Sequence, residues 1–141
     1  MNFLIVSDSH GDSEYFSKLL KEYKDYFVIH LGDRGFDVEK YLENREYILV
    51  DGNCDRYTYQ KDAYLDYKNH KILLTHGDLY GVKYDFNKLY FKALQEKCDV
   101  VMFGHTHHQE SFEYNNIKFI NPGALNLHKY AIIKDDEIIL K

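Results

Sequence analysis

Five times along its 141 residues the chain runs from a short apolar stretch straight into a turn that combines glycine with a side chain able to hold a cation. The turns are Asp8-Ser9-His10-Gly11, Gly32-Asp33, Gly52-Asn53-Cys54-Asp55, His76-Gly77 and Gly104-His105-Thr106-His107. The stretches before them read as buried strands, and sites in open α/β sheets form outside the carboxyl ends of strands. A chain patterned this way is therefore expected to bring five strand ends, and seven oxygen or nitrogen donors, to one rim.

The intervening sequence supports that architecture. The segment 2–7, apolar through Phe3-Leu4-Ile5-Val6, reads as a strand covered on both faces. Phe16, Leu19, Leu20 and Tyr23 recur at helical spacing behind Asp12 or Ser13, either of which can cap a helix. Strands are expected at Tyr26 to His30 and Tyr47 to Val50, with a short helix roughly from Asp37 to Glu43 between them. The resulting βαβαβ order favours neighbouring parallel strands. Ala63 to Tyr67 and Lys71 to Thr75 form a hairpin around Lys68-Asn69-His70, and Phe86, Leu89, Tyr90, Ala93, Leu94 and Lys97 mark a second helix. Further strands follow at Asp99 to Phe103, Ser111 to Tyr114 and Ile117 to Ile120. Beyond Asn121-Pro122-Gly123, a last pair runs from Lys129 to Ile133 and from Glu137 to Leu140. We expect one mixed α/β domain over residues 1–141 with an antiparallel second half.

Composition narrows the function classes. Hydrophobic residues at 45% and charged residues at 29% suit a globular chain rather than a disordered one. The net charge is -5 and the arginines are Arg34, Arg45 and Arg56, so an extended nucleic-acid footprint is not expected. Phosphate chemistry would need another source of positive charge. No apolar run approaches the roughly 18 residues of a membrane span, and the first residues carry no secretory signature. Together with two cysteines, Cys54 and Cys98, read as reduced thiols, this predicts a cytoplasmic protein without membrane partners.

Donor chemistry supplies the positive charge. Two carboxylates, one carboxamide and four imidazoles suit borderline divalent ions better than calcium. Seven donors exceed the needs of one tetrahedral zinc, whereas two ions sharing a carboxylate would use them all. Asp8 with His10, and His105 with His107, are spaced so that both members leave an extended backbone on the same face. Five of the eight glycines adjoin a candidate donor, and glycine permits close approach of backbones.

The set D-S-H-G, G-D, G-N-C-D, T-H-G and G-H-T-H, in this order over residues 5 to 124, resembles the calcineurin-like metallophosphoesterases, in particular their short YfcE-like phosphodiesterase branch. The resemblance implies a two-sheet α/β sandwich with helices outside and the site at the strand ends. It also implies a ligand partition: Asp8, His10 and His107 on one ion, Asn53, His76 and His105 on the other, and Asp33 bridging. The implied activity is hydrolysis of small phosphodiesters by a hydroxide bridging two divalent ions, manganese first, with nickel, iron, zinc, cobalt and magnesium as alternatives. Two further readings compete: an inert binding scaffold like the retromer subunit of the same fold, and a phosphomonoesterase. A tyrosine-rich apolar surface leaves room for a homo-oligomer.

Departures from the family pattern refine the expectation. Cys54 stands where many members have a histidine that protonates the leaving group. A thiol with an ordinary pKa of about 8.5 is a poorer donor than imidazolium, which favours substrates with good leaving groups. Asp55 is expected to orient that acid or to cap its loop. Ala124 replaces a common serine, and Asp78 stands where a second histidine is usual, which makes the site less welcoming to an anion. His30 is expected to be a buried hydrogen-bonding residue beside the Asp33 turn; His70 falls in a hairpin turn, and His108 and His128 suit a solvent-facing place as well as a functional one. Tyr57 and Tyr59 are candidates to line the cleft.

Overall fold

Why the first strand has no polar face is explained by its two neighbours. Leu4 and Val6 point to one side, into a cluster with Phe16, Leu19 and Leu20, and Phe3 and Ile5 point to the other, into a cluster with Ile29, Ile72, Leu74, Met102 and Ile120. The computed structural model describes residues 1–35, 38–56 and 59–141. In chain order its main elements are β1 (Phe3–Val6), α1 (Ser13–Glu22), β2 (Phe27–His30), β3 (Tyr47–Leu49), β4 (Asp62–Tyr67) and β5 (His70–Thr75). Then come α2 (Asn87–Gln95), β6 (Val100–Met102), β7 (Glu110–Tyr114), β8 (Ile117–Asn121), β9 (Ala131–Lys134) and β10 (Glu137–Leu140).

Among the described residues these strands form two five-stranded sheets, ordered β10-β9-β1-β2-β3 and β4-β5-β6-β8-β7. The sheets face each other across the cluster around Ile5 and Leu74. Helix α1 covers the outer face of the first sheet, and α2 covers the second through Leu89 and Ala93 packed with Leu73, Val101 and Phe119. This is the expected two-sheet α/β sandwich with helices outside.

Helix α1 begins where its sequence says it should: the Asp12 carboxylate accepts from the Tyr15 N–H at 3.4 Å, and Glu14 and Lys21 lie at the ends that favour their charges. The short helix expected over 37–43 is one 3₁₀ turn, Glu39–Leu42, its expected start at residue 37 lying outside the described residues.

The expected antiparallel second half is corrected. Strand β6 runs parallel to both β5 and β8, with only the outer pairs β4–β5 and β7–β8 antiparallel. The physical reason is α2, which provides the long crossover that a parallel pair requires. The final hairpin turns back to the first sheet, where β9 pairs antiparallel with β1. Consequently the five strands that precede the donor turns, β1, β2, β3, β5 and β6, each take part in a parallel pair.

Candidate metal centre

All five turns meet at one end of the sandwich. Asp8 and His10 follow β1, Asp33 follows β2, Asn53 follows β3, His76 follows β5, and His105 and His107 follow β6. Ligand atoms of Asp8, His10, Asp33 and His107 lie within 4.8 Å of one another. His107 Nε2 is 3.3 Å from Asp8 Oδ1, and His10 Nε2 is 3.6 Å from Asp33 Oδ2. His76 Nε2 extends the group, 3.4 Å from Asp33 Oδ2, 3.1 Å from Asn53 Oδ1 and 3.2 Å from His105 Nδ1. The seven donors singled out in the sequence are thus brought together, with Asp33 Oδ2 near both His10 and His76 and Asp8 Oδ1 near both His107 and His76.

The backbone that achieves this is not the extended one expected for the two i, i+2 pairs. Asp8 (φ 54°), His10 (φ 44°), His105 (φ 70°) and His107 (φ 63°) are all left-handed, as is Asp33 (φ 67°). Such a conformation costs a residue other than glycine about 1–2 kcal/mol, so tertiary bonds must hold it. The Asp8 N–H donates to Gly32 O at 2.9 Å, and the His105 N–H donates to Asp8 Oδ2 at 3.2 Å. Close approach is also essential: a Cβ on Gly52 would collide with Asp33 Oδ1, and one on Gly104 with Ser7 Oγ.

Protonation follows from the partners. His76 Nδ1 lies 2.7 Å from Leu31 O, an atom that only accepts, so this nitrogen carries hydrogen and the neutral ring turns the Nε2 lone pair into the cluster. Burial opposes charging of His76, but Asp33 and Asp8 outweigh it and raise its pKa. Burial raises the Asp8 carboxyl. Asp33 is also pushed up by burial, yet His76 and the Cys54 N–H overcome this and hold it well below the usual carboxylate range. His105 is lowered by burial, His76 and Lys83, and so stays a neutral donor. Acceptors converge here without enough hydrogens between them. Among the described residues, Asp8 Oδ1 and His10 Nε2 are buried with no hydrogen-bond partner. A cation satisfies both, and the mix of carboxylate and imidazole fits a borderline divalent ion.

Residues around the cluster hold its loops. Both oxygens of Asp55 are engaged by backbone, accepting from Asp33 N (2.9 Å), Gly52 N (2.7 Å) and Arg34 N (2.7 Å). That is the loop-capping alternative for Asp55. Cys54 gives its backbone N–H to Asp33 Oδ1 at 3.0 Å, while its side chain is exposed at the mouth; burial of the sulfur and the nearby Asp33 raise its thiol pKa. His30 is fully buried as expected. Gly32 N–H donates to its Nδ1 (3.1 Å), which leaves hydrogen on Nε2, 3.0 Å from Ser9 Oγ; that hydroxyl reaches Asp33 O at 3.3 Å. Burial pushes the His30 pKa down to about 4, so it serves as a neutral strut.

Three other supports were not legible in the sequence. Ser7 Oγ donates to Asp8 Oδ2 at 2.7 Å. Asn121, buried at the end of β8, donates to Thr106 Oγ1 at 2.9 Å and to Gly104 O at 3.3 Å. Lys61 pairs with Asp78 at 3.2 Å, so the carboxylate expected to repel anions already has a cation beside it. His70 pairs with Asp99, His108 is exposed, and His128 stacks on Tyr15 with centroids 4.0 Å apart. Ala124 is buried, Tyr59 donates its hydroxyl to Glu39, and Tyr57 lies outside the described residues.

Known proteins match this chain along nearly all of it. The family model of the calcineurin-like phosphoesterase superfamily domain matches residues 1–134. The probable metallophosphoesterase YsnB of Bacillus subtilis is 35% identical, the match covering 94% of this chain and 83% of that protein. A probable metallophosphoesterase of Mycoplasma genitalium is 28% identical over 88% and 77% of the two chains. Among solved structures, a predicted phosphoesterase of Streptococcus pneumoniae superposes with a TM-score of 0.82 at 27% identity, covering 99% of this chain and 87% of that one. Zinc-bound Vps29 of Entamoeba histolytica, at 20% identity, shares the fold with a TM-score of 0.76 over 100% and 97% of the chains. The chain belongs to the calcineurin-like phosphoesterase superfamily.

Proposed function

We propose that the protein is a phosphodiesterase that works with two divalent ions, held by Asp8, His10 and His107 on one side and by Asn53, His76 and His105 on the other, with Asp33 shared. The observation that carries this is the buried Asp8 Oδ1, which has no hydrogen-bond partner among the described residues although Asp33 and the imidazoles surround it. Two such ions supply an activated water and Lewis-acid stabilisation of the phosphoryl oxygens, and they outweigh the two carboxylates so that an anion is attracted. Manganese is the first choice for both positions.

The chain's own groups set the substrate preference. Cys54 keeps its proton because burial and Asp33 raise its pKa, which makes it a weak acid at the mouth of the site. In our reading the thiol passes that proton to the departing ester oxygen and recovers one from solvent. Weak assistance suits esters whose leaving groups need little help, such as aryl phosphodiesters. Asp55 holds the Asp33 and Gly52 backbones during this step. We take residues 1–141 as one catalytic domain acting in the cytoplasm; among the described residues no helix is long and apolar enough to cross a membrane.

Hydrolysis of an aryl phosphodiester and of the matching monoester, with added manganese, nickel, magnesium or chelator, tests the assignment. Manganese-dependent turnover of the diester should exceed that of the monoester by at least about tenfold. Asp33→Asn should lower it by about a hundredfold or more, since loss of mere outer partners of a metal site costs 10–100-fold. Manganese uptake without hydrolysis of any diester would instead indicate the binding scaffold.

A further inference from the structure

Lys61 belongs to neither the cluster nor the turns that carry it. It lies just before β4, where residue 60 forms a parallel bridge with Val50, so its side chain runs beside the turn after β3. Its ammonium donates to Gly52 O and to Asp78 Oδ2, each at 3.2 Å. Gly52 directly precedes Asn53, and Asp78 follows His76 by two residues. Lys61 therefore ties together the loops that bring Asn53 Oδ1 and His76 Nε2 to 3.1 Å. Its side chain is 23% exposed and that of Asp78 13%, so the pair is held largely out of water rather than on the open surface.

Both of these bonds fall on the loops of Asn53 and His76. On the other half, Asp8 is held by Ser7 Oγ and by its own N–H to Gly32 O, and the His10 N–H donates to Asp33 O at 3.5 Å. We propose that the Lys61–Asp78 pair is a positioning strap for one half of the centre, setting the affinity of the ion held by Asn53, His76 and His105 while leaving the other ion alone. This inference rests on the two-ion reading above.

The two roles open to Lys61 have opposite signs. A lysine acting only through its charge repels cations, so removing it would tighten binding and uncover the Asp78 carboxylate as an added attraction. A lysine acting as a strap holds ligands in register, so removing it weakens binding despite the gain in negative charge. The sign of the change separates them.

The experiment is titration of the metal-free protein with manganese by calorimetry, with metal content measured after gel filtration, on wild type, Lys61→Met, Lys61→Arg and Asp78→Asn. In Lys61→Met one binding step should weaken by about tenfold or more while the other stays within about twofold. Lys61→Arg should recover part of the loss, and Asp78→Asn should weaken the same step. Equal weakening of both steps, unchanged binding, or tighter binding in Lys61→Met would overturn the proposal. If Lys61→Met does not fold, Asp78→Asn decides by the same criterion. A wild type that takes up one ion defeats the two-ion reading by itself; the strap then stands or falls on whether Asp78→Asn and Lys61→Met weaken that single ion.

Discussion

His30 shows how one residue can carry a condition for the whole site. Its ring links Gly32 to Ser9 beneath the Asp33 turn and must stay neutral to accept from the Gly32 N–H. Burial lowers its pKa from 6.5 to about 4, so between those values the unfolded chain binds a proton that the folded chain refuses. The stability from this neutral ring is complete above about pH 6.5 and is lost as pH falls through the window, by about 2 kcal/mol at pH 5. Urea unfolding in chelator at pH 7.5 and pH 5 should show that loss in wild type and not in His30→Asn, whatever stability the variant starts from. Cys54 makes a different prediction, because its residue is exposed and its thiol, held in its protonated form by burial and Asp33, lies beside the cluster. Cys54→Ala should slow hydrolysis of alkyl phosphodiesters by about tenfold or more and leave aryl diesters nearly unchanged. Equal rates for all leaving groups would remove the thiol from the reaction.

At the scale of elements, the turns matter more than the strands they end. Gly104 is pressed against Ser7, so Gly104→Ala should cost about 1–3 kcal/mol in stability and also displace Asp8, weakening manganese binding. Gly11→Ala is the control: space around its Cβ is open, and its φ of +86° costs about 1–2 kcal/mol without pushing on a ligand. Thermal unfolding with and without manganese separates the two, since only Gly104→Ala should lose metal-dependent stabilisation. These turns were legible in the sequence because each carries its chemistry locally, a glycine beside a donor at the end of an apolar run. The left-handed ligand backbones were not legible, since spacing alone cannot distinguish extended from folded-back pairs. Neither were Asn121 and the Lys61–Asp78 tie, whose partners are remote in the chain and meet only through tertiary packing. The mixed direction of the second sheet was missed for a related reason: the hairpin patterns around β4 and β8 are local, whereas the parallel pairs through β6 are not.

At the scale of the molecule, five loops meet where Asp8 Oδ1 and His10 Nε2 have no hydrogen-bond partner among the described residues, so the folded state should depend on the cation. Manganese at a hundred times its dissociation constant should add about 2.7 kcal/mol of stability for each independent site, read as a rise in denaturation midpoint that chelator reverses. A second global feature is the return of the last hairpin to β1, with Leu125 N bonded to Ser7 O at 2.8 Å and Asn126 N to Asp8 O at 3.4 Å. A segment synthesised early is thereby completed by one synthesised much later, and the Asp8 turn lacks these two bonds until residue 125 and its successors have emerged. Stalled nascent chains ending before that point should retain no manganese, whereas released full-length chains should. Acquisition of a metal should then wait for synthesis of residue 125 and its successors, timed by the order in which the polypeptide is made.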